Sequence, residues 1–184
     1  MQQWFGQGKR LRYLCQDETR LGLKTETGKL ISAFGVKPVA QVQWQRDNFW
    51  LYGVVEPLSG WHFCQEYAQL NPDGFQQFID ALSRQLGSES ALLQLDHSGA
   101  HMTAALRWPQ NLIPIAQPAH SPELNPIERV WQFIKQQLKG EVFPTLQHLR
   151  ERLQQVLDQI TPAQISSLSS YNFILEALFY APSH

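Results

Sequence analysis

Three acidic residues occupy positions from which they could act together. Asp17 lies near the end of a predicted first strand, Asp96 terminates an apolar strand, and Glu128 lies in the first turn of a later helix. Neighbouring parallel strands that end in Asp bring both side chains to one sheet edge, where an adjacent helix can add a third acid. Such carboxylates repel one another unless cations neutralise them. Oxygen ligands of this kind favour two Mg²⁺ or Mn²⁺ ions, which suit phosphodiester cleavage and transfer.

The order of the predicted elements is that of an α/β protein with a central mixed sheet covered by helices. A tight turn with Gly60 joins two of the five predicted strands, which cover residues 10–18, 48–57, 61–69, 91–96 and 111–117. Asn71 and Pro72 open a helix after the third strand, and a short helix is predicted over roughly 101–108. Three helices close the chain, the last from Thr161 to about Tyr180.

The bulk composition is that of one globular domain. The chain has 184 residues, 43 % of them hydrophobic, and a formal net charge of -1. A charge so close to zero gives no global electrostatic reason to bind a polyanion, so any contact with nucleic acid must be local. The N-terminus has no signal-peptide core and no apolar run reaches membrane-spanning length, which predicts a cytoplasmic protein without a membrane partner.

Three blocks of sequence resemble a known enzyme family. CQDETRLGL (15–23), LQLDHSGAH (93–101) and SPELNPIERVW (121–131) are similar, in this order, to the catalytic blocks of DDE transposases of the Tc/mariner superfamily, specifically its bacterial insertion-sequence branch. GVKP (35–38) resembles a loop that recurs there, and the likeness spans roughly residues 10–160. It implies a ribonuclease H-like fold with extra C-terminal helices, whose element order agrees with the one read from the patterns.

The resemblance also implies a chemistry. Asp17, Asp96 and Glu128 would bind two Mg²⁺ or Mn²⁺ ions. Water would first cut a phosphodiester at the transposon end, and the freed 3′-hydroxyl would then attack target DNA. The implied partners are therefore the transposon ends, the target DNA and a second copy of the chain in a homodimer. The implied location is the cytoplasm, in association with the nucleoid.

The sequence departs from the family pattern in three respects. Only 31 residues separate Asp96 from Glu128, fewer than the family commonly has, and His97 stands where the family usually has Asn. Family members carry helix-turn-helix domains before the catalytic domain, whereas only 16 residues precede Asp17. We therefore expect residues 1–184 to form a single catalytic domain, with a core over about 10–140 and C-terminal helices over 141–184. A separately encoded DNA-binding segment is a further expected partner.

The local sequence around Glu128 permits a second role. Asn125 as N-cap, Pro126 at the first helical position and Glu128 at the third would form a capping box. A side chain folded back on Asn125 could not bind metal at the same moment. Glu123 competes for the role of third acid but is expected at the surface, near a second candidate cap at Ser121. Glu18 should point to the opposite strand face from Asp17.

Several polar residues are candidates for supporting roles. His97 and His101 have the i, i+4 spacing of a zinc pair, but a third matching ligand is not evident, so both are interpreted as polar contacts near the metals or the scissile phosphate. Asn125 belongs to the same group. Arg20 and Lys37 could contact DNA phosphates or belong to an ordinary solvated face, and the sequence favours neither reading.

Three functions remain open on the sequence. The first is the catalytic domain of a transposase that cuts and joins DNA. The second is a ribonuclease H-like nuclease that hydrolyses without joining. The third is an inactive or regulatory remnant that keeps the fold and has lost its DNA-binding half. The intact set of Asp17, Asp96 and Glu128 argues against long decay.

Overall fold

The computed structural model describes residues 11–23, 34, 46–96, 105–118, 121 and 124–179. The strands in this part are β1 Leu11–Gly22, β2 Asn48–Val55, β3 His62–Tyr67, β4 Ser90–Leu95 and β5 Leu112–Ala116. The helices are α1 Pro72–Leu86, α2 Ile127–Leu138, α3 Leu146–Gln159, α4 Pro162–Ser169 and α5 Asn172–Phe179. The predicted five-stranded α/β architecture is confirmed.

All five strands form one mixed sheet in the order β3-β2-β1-β4-β5. The β1-β2 and β2-β3 pairs are antiparallel, whereas β1-β4 and β4-β5 are parallel. Cys15 lies opposite Gln94 in the parallel pair. If this register is extended by two residues, Asp17 is level with Asp96. The strands that lead to the two aspartates are therefore parallel neighbours, as predicted.

Asp17 does not lie near the end of its strand, and that prediction is wrong. β1 continues to Gly22 because β2 pairs with it along this whole stretch, with Asp17 opposite Gly53 and Gly22 opposite Asn48. The other neighbour, β4, ends at Leu95. Asp17 therefore lies inside a strand but at the point where one of its two neighbours stops, which opens the sheet beside it.

Helices cover both faces of the sheet. On one face, α1 buries Phe75, Phe78, Ile79 and Leu82 among residues that include Leu14, Tyr52 and Leu93. The helix begins where predicted, because the side chain of Asn71 accepts a hydrogen bond from the backbone of Gly74. On the other face, α2 and α3 pack on side chains of β1 and β2. The sheet is thus buried between two apolar layers, which leaves its ends for a site.

The predicted helix over residues 101–108 is wrong for the part that the structure describes. Residues 105–109 are non-helical. The backbone N–H of Arg107 donates to Oε1 of Gln76 at 2.7 Å, and Nε2 of Gln76 donates back to the carbonyl of Arg107 at 2.9 Å. A side chain of α1 therefore satisfies the peptide groups that a helix would have used.

The single last helix predicted from Thr161 is in fact two helices, α4 and α5. Thr161 and Gln164 form the expected start with a full capping box. The helix ends after Ser169, where Ser166 and Ser170 both donate hydroxyl hydrogen bonds of 2.8 Å to the carbonyl of Pro57. This attachment to the β2-β3 turn interrupts the helix. None of the helices in the described residues has the length and apolarity needed to cross a membrane.

Candidate active site

Asp17 lies on the sheet face that α2 covers. Cys15 and Leu21, on the same side of β1, pack into the core formed with Ile127 and Trp131. Asp17 is held there by the indole of Trp131, whose Nε1 donates to Oδ2 of the carboxylate at 3.0 Å. Strand and helix are thus joined by a hydrogen bond at the candidate acid, which fixes the orientation of its carboxylate.

Gly53 makes room for this indole. It is the partner of Asp17 across the β1-β2 pair. A Cβ atom at this position would lie 2.5 Å from Cη2 of Trp131 and 3.1 Å from Sγ of Cys64. Such distances are shorter than real side chains tolerate, so the close approach of Trp131 to the sheet requires glycine here.

The predicted capping box at Asn125 and Glu128 is wrong. α2 begins at Ile127, and its N-cap is Pro126, which makes no side-chain cap. Nδ2 of Asn125 instead donates a buried 2.8 Å hydrogen bond to the carbonyl of Gln16, which lies 109 residues earlier in the chain. Because Asn125 is used in this way, its side chain attaches the start of α2 to the strand that carries Asp17. Glu128, half-buried in the first turn, has no cap role that competes with metal binding.

A chain of amide side chains attaches the same helix start to β4. Gln94 accepts a hydrogen bond from the hydroxyl of Tyr13. Its Nε2 donates to Oε1 of Gln117 at 3.1 Å and to the carbonyl of Leu124 at 3.2 Å. Gln94 precedes Asp96 by two residues, so the segment that leads to Glu128 is bonded to both strands that carry the aspartates.

The surroundings of Asp17 raise the pKa of its carboxyl group well above the ordinary value. Burial is the largest cause, and together with the negative charges of Glu18, Glu128 and Asp96 it raises the pKa from the ordinary value of 3.8 to about 8. A hydrogen bond with the backbone of Glu18 opposes the shift. Without a cation, the cluster therefore favours a proton on Asp17 near neutral pH.

The donor set fits a hard divalent cation. Every candidate ligand is a carboxylate oxygen, which suits Mg²⁺ and Mn²⁺, and a cation would relieve the repulsion around Asp17. Within the part of the chain that the structure describes, Oδ1 of Asn125 is also buried without a hydrogen-bond partner, beside the start of α2. Among the residues described, no three acidic, histidine or cysteine side chains converge closely enough to form a complete metal site as they stand.

An open groove borders Glu128. It has a volume of about 1110 Å³ and runs between α2 and the junction of α4 and α5. Glu128 and Gln132 line one wall, and Tyr171 and Phe173 line the other. The guanidinium of Arg129 lies 4.5 Å from the ring centre of Tyr171 and holds the walls in place. The groove gives a substrate access to Glu128.

The other predicted residues do not all reach the site. Glu18 accepts a 2.8 Å hydrogen bond from Nε2 of Gln16, away from the Trp131 contact of Asp17. Arg20 is exposed and borders a different cavity, near the C-terminal end of α2. Four predicted residues lie outside the part of the chain that the structure describes: His97, His101, Glu123 and Lys37.

Sequence reasoning missed three residues that shape the site. Trp131 has the apolar helical spacing of a core residue, yet it follows Glu128 by three residues, the spacing that places two side chains on one helix face. Gln94 is a polar residue inside the apolar run ALLQL, on the same strand face as Asp96. Gly53 interrupts an otherwise bulky strand, a signal of close backbone approach. Each of these three features can be seen in the sequence, but none of them indicates which residue the side chain contacts in the fold.

Comparison with known proteins agrees with this geometry. Residues 12–150 match the family described as DDE superfamily endonuclease. Over 87 residues, which are 47 % of this chain and 64 % of the relative, the sequence is 32 % identical to the uncharacterized protein y4pE/y4sA of Sinorhizobium fredii (strain NBRC 101917 / NGR234). The chain therefore spans less than two thirds of this curated relative.

Solved structures share the fold. The Mos1 transposase paired-end complex with left transposon end gives a TM-score of 0.68 at 16 % identity, over 86 % of this chain and 51 % of that one. The Mos1 mariner paired-end complexes with Mn and with Mg each give 0.66, at 16 % and 17 % identity, over 85 % of this chain and 51 % of theirs. The expected ribonuclease H-like fold is confirmed. Because the family match covers most of the chain and includes Asp17, Asp96 and Glu128, the chain belongs to the DDE superfamily endonuclease family.

Proposed function

We propose that this chain is the catalytic domain of a Tc/mariner-type transposase, which cuts DNA at transposon ends and joins the ends to a target. One observation carries the proposal: the parallel register of β1 and β4 sets Asp17 level with Asp96, and Trp131 of α2, one turn after Glu128, donates a hydrogen bond to Asp17. Convergent acids with a perturbed pKa at the open end of a sheet are typical of a catalytic site.

The three carboxylates would hold two Mg²⁺ or Mn²⁺ ions. Bound there, the ions would activate the attacking oxygen and stabilise the leaving oxygen of an in-line displacement at phosphorus. Asp17 must lose its proton to serve as a ligand, since only the carboxylate form binds. The relatives with known structures support this choice, because Mos1 complexes contain Mn and Mg.

The residues around the acids position them. The indole of Trp131 donates to Oδ2 of Asp17 and fixes the orientation of its carboxylate. Asn125 attaches the start of α2 to β1, and Gln94 attaches the preceding segment to β4. A rigid arrangement of this kind lowers the entropy cost of assembling the site. The groove beside Glu128 would admit the DNA strand.

The remaining partners are part of the proposal. Mos1 is solved with its left transposon end, which supports transposon ends as a substrate here. A homodimer, a target DNA, a separately encoded DNA-binding segment and action at the nucleoid stay predictions, as does the bacterial insertion-sequence branch. So do the division into a core over about 10–140 with helices over 141–184 and the roles of His97, His101 and Lys37.

The first test is nicking of a labelled duplex that carries the terminal repeats bordering the coding gene, with Mg²⁺ or Mn²⁺. Asp96→Asn should lose at least about a hundredfold in rate, because an amide is a poor ligand for a hard cation. Asp158→Asn is the matched control, since Asp158 is exposed on α3 and bonded only to Gln154 among the described residues. Equal nicking by wild type and Asp96→Asn would sink the three-acid mechanism.

A second test separates joining from hydrolysis. A pre-cut end with a free 3′-hydroxyl is incubated with a target plasmid, beside the same end with a 3′-dideoxy terminus. Covalent joining that needs the 3′-hydroxyl supports the transposase, whereas nicking without joined product supports the ribonuclease H-like nuclease. A folded protein that binds DNA but gives neither product would be the inactive remnant.

A further inference from the structure

A second cavity lies at the opposite end of α2 from Glu128. Its volume is about 770 Å³, and it lies where β1 leaves the sheet and α2 ends. Gly22 is one of the residues that line it. A Cβ atom at Gly22 would lie 2.9 Å from the carbonyl oxygen of Asp47, so the position has no room for a side chain. Four cationic residues line the cavity, which we name the basic groove: Arg20, Arg46, Lys135 and Lys139.

The charges of the basic groove are accessible. Arg20, Arg46 and Lys139 are exposed and Lys135 is half-buried. None of the four forms an ion pair within the residues that the structure describes. Glu141 also lines the cavity, but it accepts a 2.9 Å hydrogen bond from Arg152, and Asp47 is the other acid there. Positive charge is therefore in excess, in a chain whose net charge is -1.

The basic groove is aligned with the candidate acids along one helix. Lys135 follows Glu128 by seven residues, almost two full turns, so both side chains leave α2 on nearly the same side. At 1.5 Å per residue, this spacing is about 10 Å along the helix axis. Successive phosphates of one DNA strand are about 3.4 Å apart along the duplex axis. A duplex whose axis runs along α2, with one phosphate at Glu128, would therefore have the phosphate about three nucleotides further on level with Lys135.

We propose that the basic groove binds the phosphate backbone of the DNA beside the reacting phosphodiester. The proposal rests on the proposed function, since it names the surface that holds the same substrate. Lysine and arginine contacts to phosphates fix the register of the strand without reading its sequence. They would supply the local attraction that the overall charge of the chain does not.

Lys135 has a second physical role that the test must separate. It lies in the last turn of α2, where a cation stabilises the negative end of the helix dipole. If this were its only role, its removal would lower stability and leave DNA affinity unchanged. Arg46, which precedes β2, has no such role and gives an independent measurement.

The test is fluorescence anisotropy with a labelled 20-base-pair duplex in EDTA, so that cleavage plays no part, over about 50 to 200 mM KCl. The variants are Lys135→Gln with Lys139→Gln, and Arg20→Gln with Arg46→Gln. Arg84→Gln with Arg107→Gln is the control, because both residues are exposed and lie away from α2. Thermal melts establish that each variant is folded. If a double variant of the basic groove does not fold, the single variant Arg46→Gln is measured in its place.

Each double variant of the basic groove should weaken binding at least about tenfold near 100 mM salt. It should also lower the slope of log Kd against log salt concentration by about one to two. The control pair should change affinity less than about twofold. Equal losses in groove and control pairs, unchanged salt slopes, or no salt-dependent binding by the wild type would overturn the proposal. Asp96→Asn should bind DNA as the wild type does, so loss of nicking with intact binding bears on the proposed function separately.

Discussion

The indole N–H of Trp131 donates a 3.0 Å hydrogen bond to Oδ2 of Asp17, across 114 residues of sequence. The bond joins the helix that carries Glu128 to the strand that carries Asp17. It also fixes the orientation of the Asp17 carboxylate, since one of its oxygens accepts from the indole. The geometry of the candidate site therefore depends on a residue that is otherwise part of the core.

Trp131→Phe removes this hydrogen bond and keeps an aromatic ring. The bond favours the charged carboxylate, so its loss should raise the pKa of Asp17 beyond about 8. With Mg²⁺ present, the rising limb of the nicking rate against pH should move to higher pH, and the rate near pH 7 should fall about tenfold. Trp108→Phe, in the other core layer, is the control and should leave the profile in place. An unmoved profile in Trp131→Phe would contradict the positioning role.

Gly53→Ala should displace the same indole. The new Cβ would lie 2.5 Å from Cη2 of Trp131, so we expect a loss of about 1–3 kcal/mol in the free energy of unfolding. Urea unfolding measures the change. Adding Trp131→Phe removes the clashing atoms and should recover part of the loss, which a double-mutant cycle detects. Additive losses would show that the two residues do not meet.

Asp17 should make the metal-free protein less stable as pH rises. Its pKa is about 8 in the folded chain and near 3.8 when unfolded, so the folded state holds a proton that the unfolded state releases. The contribution of this proton to the free energy of unfolding is fully present below about pH 4 and is lost as pH rises through about 8. Thermal melts in EDTA between about pH 5 and pH 9 should show a steeper decline for wild type than for Asp17→Asn. Parallel declines would mean that Asp17 is not buried as described.

Added Mg²⁺ should oppose that loss of stability. Binding to the folded chain alone raises the melting temperature, and more so at high pH, where Asp17 gives up its proton readily. The stabilisation should be larger near pH 9 than near pH 6, and smaller in Asp96→Asn. Differential scanning fluorimetry with Mg²⁺ and with K⁺ at matched ionic strength separates this effect from screening. Equal shifts in both salts would argue against a specific site.

Arg12 stabilises the sheet far from the acids. Its guanidinium lies 2.8 Å from Glu56 and 3.2 Å from Glu89, and it stacks 4.1 Å from the ring centre of Trp61. Arg12→Met would leave the charge of Glu56, which is only 4 % exposed, without its partner, at a cost of about 3–5 kcal/mol in urea unfolding. Arg150→Met, which removes the exposed bridge to Glu66, should cost at most about 1 kcal/mol. Similar losses in both would contradict the burial argument.

Much of the architecture follows from the sequence alone. Short runs of apolar and strand-favouring residues, with turn residues between them, predicted all five strands, and Asn71 with Pro72 predicted the start of α1. These signals are short-range, because each depends on neighbours within a turn or a strand. For the same reason the resemblance of three short blocks was enough to indicate the family. The errors arose where groups distant in sequence form hydrogen bonds: the side chain of Gln76 bonds the backbone of Arg107, and the carbonyl of Pro57 accepts from the hydroxyl of Ser170.

The roles of individual polar groups were decided only by the tertiary structure. Asn125 has the sequence context of a helix cap, yet its amide donates to Gln16, because the fold brings that buried carbonyl within 2.8 Å. Trp131 has the context of a core residue, yet it also orients Asp17. The sequence determined which residue types are available and which elements carry them. The packing of α2 on β1 decided their partners, since a hydrogen bond depends on distance in space and not on separation along the chain.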